Sequence, residues 1–293
     1  MRFKRVAAVA AAATLAFGLA ACGGDSEEGG DTGSGSKTFA AGSTMERLNK
    51  AQKIKVGTKF DQPGFGQKGL SGKPEGFDVE IAKLIVKELG IPEDKIEFVE
   101  TPSKVREDVI ANGTVDLVAA TYTIKDERKE RISFAGPYYE AGQNIMVKKD
   151  DSAITGPDSF KDGTKKVCSV TGSTPAEEIK KYVKDVATQL VLFDTYDKCR
   201  DALKGGQVDA VTTDNVILLG YIAKDEASFK MAGQNFTKEP YGIGVKKDDT
   251  DFRNFINDIL EKSYSDGSWK KAWDDTAGKF GAELGNPPTI ERY

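Results

Sequence analysis

Apolar and polar positions along this chain switch between two periods, and each switch marks an element. Short apolar runs at residues 54–58, 96–99, 115–120, 166–170, 190–193 and 208–212 read as buried strands. Stretches with helical spacing lie between them. In residues 78–89, Val79, Ala82, Ile85, Val86 and Leu89 share one face, with Asp78 as the expected N-cap and Gly90 as the stop. Residues 103–112, 175–186, 197–204, 251–264 and 269–275 carry the same helical pattern. Strands alternating with helices of this length predict an α/β fold of βαβ units with mostly parallel sheets.

Two internal echoes divide the fold. Residues 110–121 resemble residues 203–214: each is a helix end, a glycine stop and a strand that empties into polar residues. Val147-Lys-Lys-Asp-Asp151 is repeated as Val245-Lys-Lys-Asp-Asp249. These echoes predict two similar lobes, each a sheet flanked by helices, joined by two hinge crossings. The expected division is lobe one at 45–140, lobe two at 141–238, and a return to lobe one with a C-terminal tail at 239–293.

Several predicted strands end in residues suited to one small zwitterion. The first ends at Lys59, the third at Thr121 and Thr123, the fourth in Thr171-Gly-Ser-Thr174, the fifth near Tyr196 and the sixth at Asp214. Open α/β sheets bind ligands beyond such strand ends. Arg128 follows in the next helical turn and offers a planar fork matched to a carboxylate, unless it is only a surface cation. Arg106 sits in the first turn of a helix, where a cation opposes the dipole, so it gains from a facing anion. Thr174-Pro175-Ala176-Glu177 has the form of a capping box, and Ser173 beside it leaves N–H groups free for an anion. Asp214 either caps the next helix or faces a ligand ammonium; the cations and threonines opposite favour the second.

Composition narrows the function classes. The chain has 293 residues, a formal net charge of −4 and no histidine. Absent histidine removes Ser-His-Asp and Cys-His nucleophile systems and the usual zinc sites. No basic run interleaves with aromatics, which argues against nucleic acid as a partner. Residues 1–21 have the charged start and short Ala-rich apolar run of a signal peptide. Leu19-Ala20-Ala21-Cys22 resembles a bacterial lipobox, which makes Cys22 the expected lipidation site. Residues 22–44 then read as lipid anchor and flexible linker, placing the protein on the extracytoplasmic face of the cell membrane. In that oxidising setting Cys168 and Cys199 pair as a disulfide, in preference to two buried thiols.

Lys55-Val-Gly-Thr-Lys-Phe-Asp-Gln-Pro-Gly-Phe65, Glu75-Gly-Phe-Asp78, Thr121-Tyr-Thr-Ile-Lys-Asp-Glu-Arg128, Phe134-Ala-Gly-Pro-Tyr-Tyr139 and Tyr241-Gly-Ile-Gly244 together resemble the polar amino acid solute-binding proteins of ABC importers. The nearest likeness is to their lipid-anchored glutamate-binding subunits. The resemblance implies a two-lobed, periplasmic-binding-protein-like fold of type II that closes on an amino acid. It implies that Arg128 grips the α-carboxylate with N–H groups of Thr123 and Thr174, and that Thr121, Thr123 and Asp214 take the ammonium. Lys59, Ser103 and Arg106 then read a side-chain carboxylate, and Tyr196 is a further contact. The chain departs from some relatives at Val170, where they have threonine, and at Gln62 and Ser103, where others have stacking aromatics.

Three cations against Asp214 match L-glutamate, with L-aspartate, one methylene shorter, the hardest competitor. The expected partners are that amino acid, the transmembrane subunits of an ABC permease with its cytoplasmic ATPase, and a membrane reached by lipid anchor. The protein is expected to be a monomer, without cofactor or metal, and not an enzyme. The rival readings are a receptor for glutamine or another polar amino acid, a sensory module, and a cyclohexadienyl-dehydratase-like enzyme on the same fold.

Overall fold

In the computed structural model, which describes residues 37–293, the apolar runs build two five-stranded sheets of one design. The first runs Ile96–Glu100, Ile54–Thr58, Leu117–Val118, Glu239–Lys246, Ile132–Ala141. The second runs Leu190–Phe193, Val167–Val170, Ala210–Asp214, Gln143–Lys148, Phe229–Ala232. In both, the first two pairings are parallel and the last two antiparallel. The sheets are therefore mixed: only the three strands joined by helical crossovers are parallel. The echo at 110–121 and 203–214 falls on the middle strand of each sheet, and the echo at Val147 and Val245 on the strand beside it. The chain passes to the second sheet between Ala141 and Gln143 and returns between Ala232 and Glu239.

Helix Phe77–Glu88 buries Val79, Ala82, Ile85 and Val86 completely against the first sheet. Removing each of these larger aliphatic side chains from water contributes about 1.5–3 kcal/mol. Asp78 is not its N-cap. Gly76 holds that position at φ +135°, where a Cβ would come within 2.2 Å of the Phe65 carbonyl oxygen. The turn this glycine permits points Asp78 inward, toward the strand ends.

The helix expected over 175–186 is two short pieces, Thr174–Ile179 and Val186–Gln189. Asp185 caps the second piece, and the Gln189 side-chain oxygen accepts from Lys184 N and Asp185 N, so the backbone there has partners outside a continuous helix.

The expected signal peptide, the expected lipidation site Cys22 and most of the expected linker lie outside the described residues. The end of the segment expected as linker is docked on the first lobe. Lys37 pairs with Glu88 at 2.6 Å, and Phe39 meets Phe255 edge-on at 5.7 Å. Phe39 is the sole aromatic side chain of that stretch, and it packs half-buried against the core of the first lobe. No helix among the described residues is long and apolar enough to cross a membrane.

Cys168 and Cys199 form a disulfide, with Cα atoms 5.5 Å apart. It ties strand Val167–Val170 to helix Tyr196–Lys204. Replacing both cysteines with serine is expected to lower unfolding free energy by about 2–4 kcal/mol, measured by urea titration of the oxidised protein and the double variant. Equal midpoints and slopes would contradict a structural role for this bond.

Candidate functional site

The polar ends of the strands meet in a tight cavity of about 10 Å³ between the two sheets, room for about one water molecule in this arrangement. From the first lobe come Gln62, Ser103, Arg106, Thr121 and Thr123. From the second come Ser173, Thr174, Tyr196, Thr213 and Asp214. Eight of the ten residues expected at a ligand site therefore line one cavity; Lys59 and Arg128 stand just outside it.

Arg106 opens helix Arg106–Ala111 and is buried. Its Nη1 donates to Ala120 O at 2.9 Å, and its guanidinium lies 4.0 Å from the centre of the Tyr122 ring. Its Nε has no partner. Lys59 is also buried and donates to Ser103 Oγ at 2.8 Å, so it reaches the cavity through that hydroxyl. Burial and the neighbouring guanidinium of Arg106 push the Lys59 ammonium down to about 7. Neither side chain has a carboxylate within ion-pair distance among the described residues.

Arg128, which the resemblance assigns to the α-carboxylate, stands just outside the cavity lining. Its Nε meets Glu107 at 3.1 Å, one Nη donates to Thr123 O at 2.8 Å and the other to Gly172 O at 3.3 Å. It thus sits at the rim, behind Tyr122, and joins the two lobes. The count of three cations against one carboxylate is corrected accordingly. Glu107 already pairs with Arg128, and Asp61 and Asp78 add acidic groups near Lys59 and Arg106. The cavity wall itself carries one cation, Arg106, and one anion, Asp214.

Asp214 does not cap the helix that follows it. Its Oδ2 accepts from Tyr241 OH at 2.6 Å, while Oδ1 is buried without a partner. Burial, and then Glu239, hold its carboxyl well above the usual range. The capping box is also shifted by one residue: Ser173 is the N-cap, accepting from Ala176 N at 3.1 Å. That leaves the Thr174 hydroxyl unpartnered in the cavity. Gln62 Nε2, Arg106 Nε, Thr174 Oγ1, Thr213 Oγ1 and Asp214 Oδ1 are five of the eleven buried side-chain atoms without a partner among the described residues. Buried polar atoms are normally paired, so this concentration marks a place for a polar guest.

Asp78 organises the first lobe's side. Its Oδ2 accepts from Thr121 N at 2.7 Å and its Oδ1 from Tyr138 OH at 2.5 Å. Thr121 sits at φ +43°, a costly conformation for a β-branched residue that persists because Asp78 and Gln62 hold it. Burial pushes the Asp78 carboxyl up to about 7 against the pull of these bonds. Sequence reasoning missed Asp78, since an acid after Gly-Phe looks like a cap, and missed Thr213, since every residue of its strand is buried. The departure noted at Gln62 was the signal for that residue.

The model for bacterial extracellular solute-binding proteins, family 3, matches residues 54–275. The glutamate-binding protein GluB of Corynebacterium efficiens is 41% identical over 287 residues, covering 94% of this chain and 92% of that protein. The ABC transporter glutamine-binding protein GlnH of Bacillus subtilis is 39% identical over 256 residues, covering 87% of this chain and 90% of that protein. A solved structure, an ancestral arginine-binding protein bound to arginine, is 38% identical with a TM-score of 0.72, covering 77% of this chain and 98% of that one. Most of the chain, including every strand of both sheets, lies within the family match, and the protein belongs to the bacterial extracellular solute-binding proteins of family 3.

Proposed function

We propose that this protein is the substrate-binding lipoprotein of an ABC amino acid importer and that it closes on L-glutamate. The observation that carries the glutamate reading is Lys59, a buried ammonium joined to the cavity by Ser103 and lacking a carboxylate partner. Arg106 Nε and Asp214 Oδ1 face opposite charges of an amino acid; Lys59 and Ser103 are left for an acidic side chain. Thr121 and Thr123 join Asp214 at the ammonium. Arg128 assists the α-carboxylate by fixing the Thr123 and Gly172 peptides, whose neighbours present N–H groups to it. Closure follows because groups on two lobes meet one ligand, which gives the closed form its differential affinity.

In this reading lobe one is 45–140 and 239–293, lobe two is 141–238, and Cys22 carries the lipid that holds the receptor at the extracytoplasmic membrane face beside its permease. The relatives are named as binding proteins, which supports a receptor over an enzyme. Glutamine is the competing ligand, since GlnH is nearly as similar as GluB. It would leave Lys59 without a carboxylate and forfeit the ion pair that the glutamate side chain forms with the buried ammonium.

Calorimetry over the twenty amino acids is expected to rank glutamate first, aspartate next, and glutamine about a hundredfold or more below glutamate. Glutamine binding more tightly than glutamate would overturn the assignment. Arg106→Ala is expected to weaken glutamate binding by at least about a hundredfold, since it removes a desolvated charge partner; a loss below about tenfold would remove its role.

The Lys59 contribution to the pH dependence has a definite sign. Because Lys59 is depressed to about 7 in the closed empty protein, its stabilising contribution is present above its ordinary 10.5 and lost as pH falls through 7. An anionic ligand binds the charged form of Lys59, whereas its ammonium binds the ionised form of Asp214, whose carboxyl burial raises well above the usual range, so the two slopes oppose each other in this interval. The ratio of glutamate affinity in wild type to that in Lys59→Met cancels the Asp214 contribution and is expected to fall from pH 7 to pH 8.5 by at most about tenfold per unit; a ratio that rises would contradict the placement of Lys59.

A further inference from the structure

One wall of the cavity is held from the opposite side of the cleft. Helix Tyr196–Lys204 flanks the second sheet, and its first N–H groups need acceptors from outside the helix. Its own N-cap residue, Thr195, supplies none, because the Thr195 hydroxyl bonds to Asp197 Oδ1 instead. The acceptor is Asp61 Oδ2, 2.7 Å from Tyr196 N. Asp61 lies in the short strand Asp61–Gln62, which follows the strand Ile54–Thr58 of the first sheet. Its backbone carbonyl also accepts from Tyr221 OH at 2.5 Å, and Tyr221 is in helix Asn215–Lys224 of the second lobe. A single residue of one lobe thus receives donors from two helices of the other.

We infer that Asp61 is a positioning residue for ligand capture: its carboxylate caps helix Tyr196–Lys204 from across the cleft when the lobes close, fixes Tyr196 as a cavity wall, and slows ligand escape. A carboxylate at that end of the helix is favoured by the dipole as well as by the hydrogen bond. The restraint reaches further than Tyr196. Cys199 in the same helix is bonded to Cys168, in the strand that leads to Ser173 and Thr174, so the capped helix and that part of the wall move as one piece. With the cleft open, Tyr196 N has only water, and the cap becomes a contact specific to the closed form. This inference rests on the reading that the cavity captures an amino acid, and not on which one.

The test compares full-length wild-type protein with Asp61→Ala and Asp61→Asn, using the tightest-binding amino acid of the calorimetric panel. In Asp61→Ala the dissociation rate measured by stopped flow is expected to rise about tenfold, as loss of a helix cap implies, with the association rate within about twofold. The melting temperature of the unliganded protein should stay unchanged, and hydrogen exchange at the Tyr196 amide should speed up. Asp61→Asn, whose side-chain oxygen still accepts an N–H, should recover most of the dissociation rate. Unchanged dissociation and exchange rates in Asp61→Ala, or equal falls in melting temperature with and without ligand, would overturn the inference. Absence of amino acid binding in the wild type would defeat the proposed function and overturn the inference with it, whereas binding with unchanged dissociation and Tyr196 exchange in liganded Asp61→Ala would overturn the inference alone.

Discussion

Opposite charges buried on facing sheets, each with an atom that no protein group satisfies, are the constraint around which this molecule is built. Arg106 Nε on the first lobe and Asp214 Oδ1 on the second are closed off from water without a partner. Uncompensated burial of such groups is strongly unfavourable, and depressing one pKa while raising another lessens the cost only in part. A guest carrying both an anion and a cation removes it. In the proposed reading the same guest makes closing the cleft favourable, so ligand recognition and domain movement are one event.

The surroundings keep those groups in place. Tyr122 presents its ring between two guanidiniums, at 4.0 Å from Arg106 and 5.1 Å from Arg128, which gives both cations a platform that is not a carboxylate. Asp78 fixes the strained Thr121 peptide from behind. Behind the cavity, Phe77, Tyr139, Trp273 and Tyr241 each meet Phe65 edge-on, and the Tyr241 hydroxyl reaches Asp214. The chain crosses between the lobes beside this cluster, so a rigid aromatic body sits next to the two connections that bend.

Much of this was legible in the residue pattern. Strands that empty into Thr, Ser or Asp gave away the cavity, because such ends converge in any sheet of this topology. The two echoes gave away the repeated lobe, since each falls on an equivalent strand. What stayed hidden was decided by side-chain direction and by contacts distant in sequence. Asp78 and Thr174 both sit where caps are common, and Gly76 and Ser173 took those positions instead. Arg128 found Glu107 in the preceding helix, on the far side of an intervening strand, which no spacing rule announces. The cap supplied by Asp61 is 135 residues from its helix and exists only through the meeting of two lobes.

The central claim is that the buried charge of Lys59, passed to the cavity through Ser103, selects an acid over its amide. The ratio of glutamate to glutamine affinity in Lys59→Met tests it most directly, with both ligands titrated into the same preparation. The account predicts that the ratio collapses to within about tenfold of one, because the removed charge is the group that distinguishes the two side chains. A ratio that remains at its wild-type value in a folded variant would contradict it.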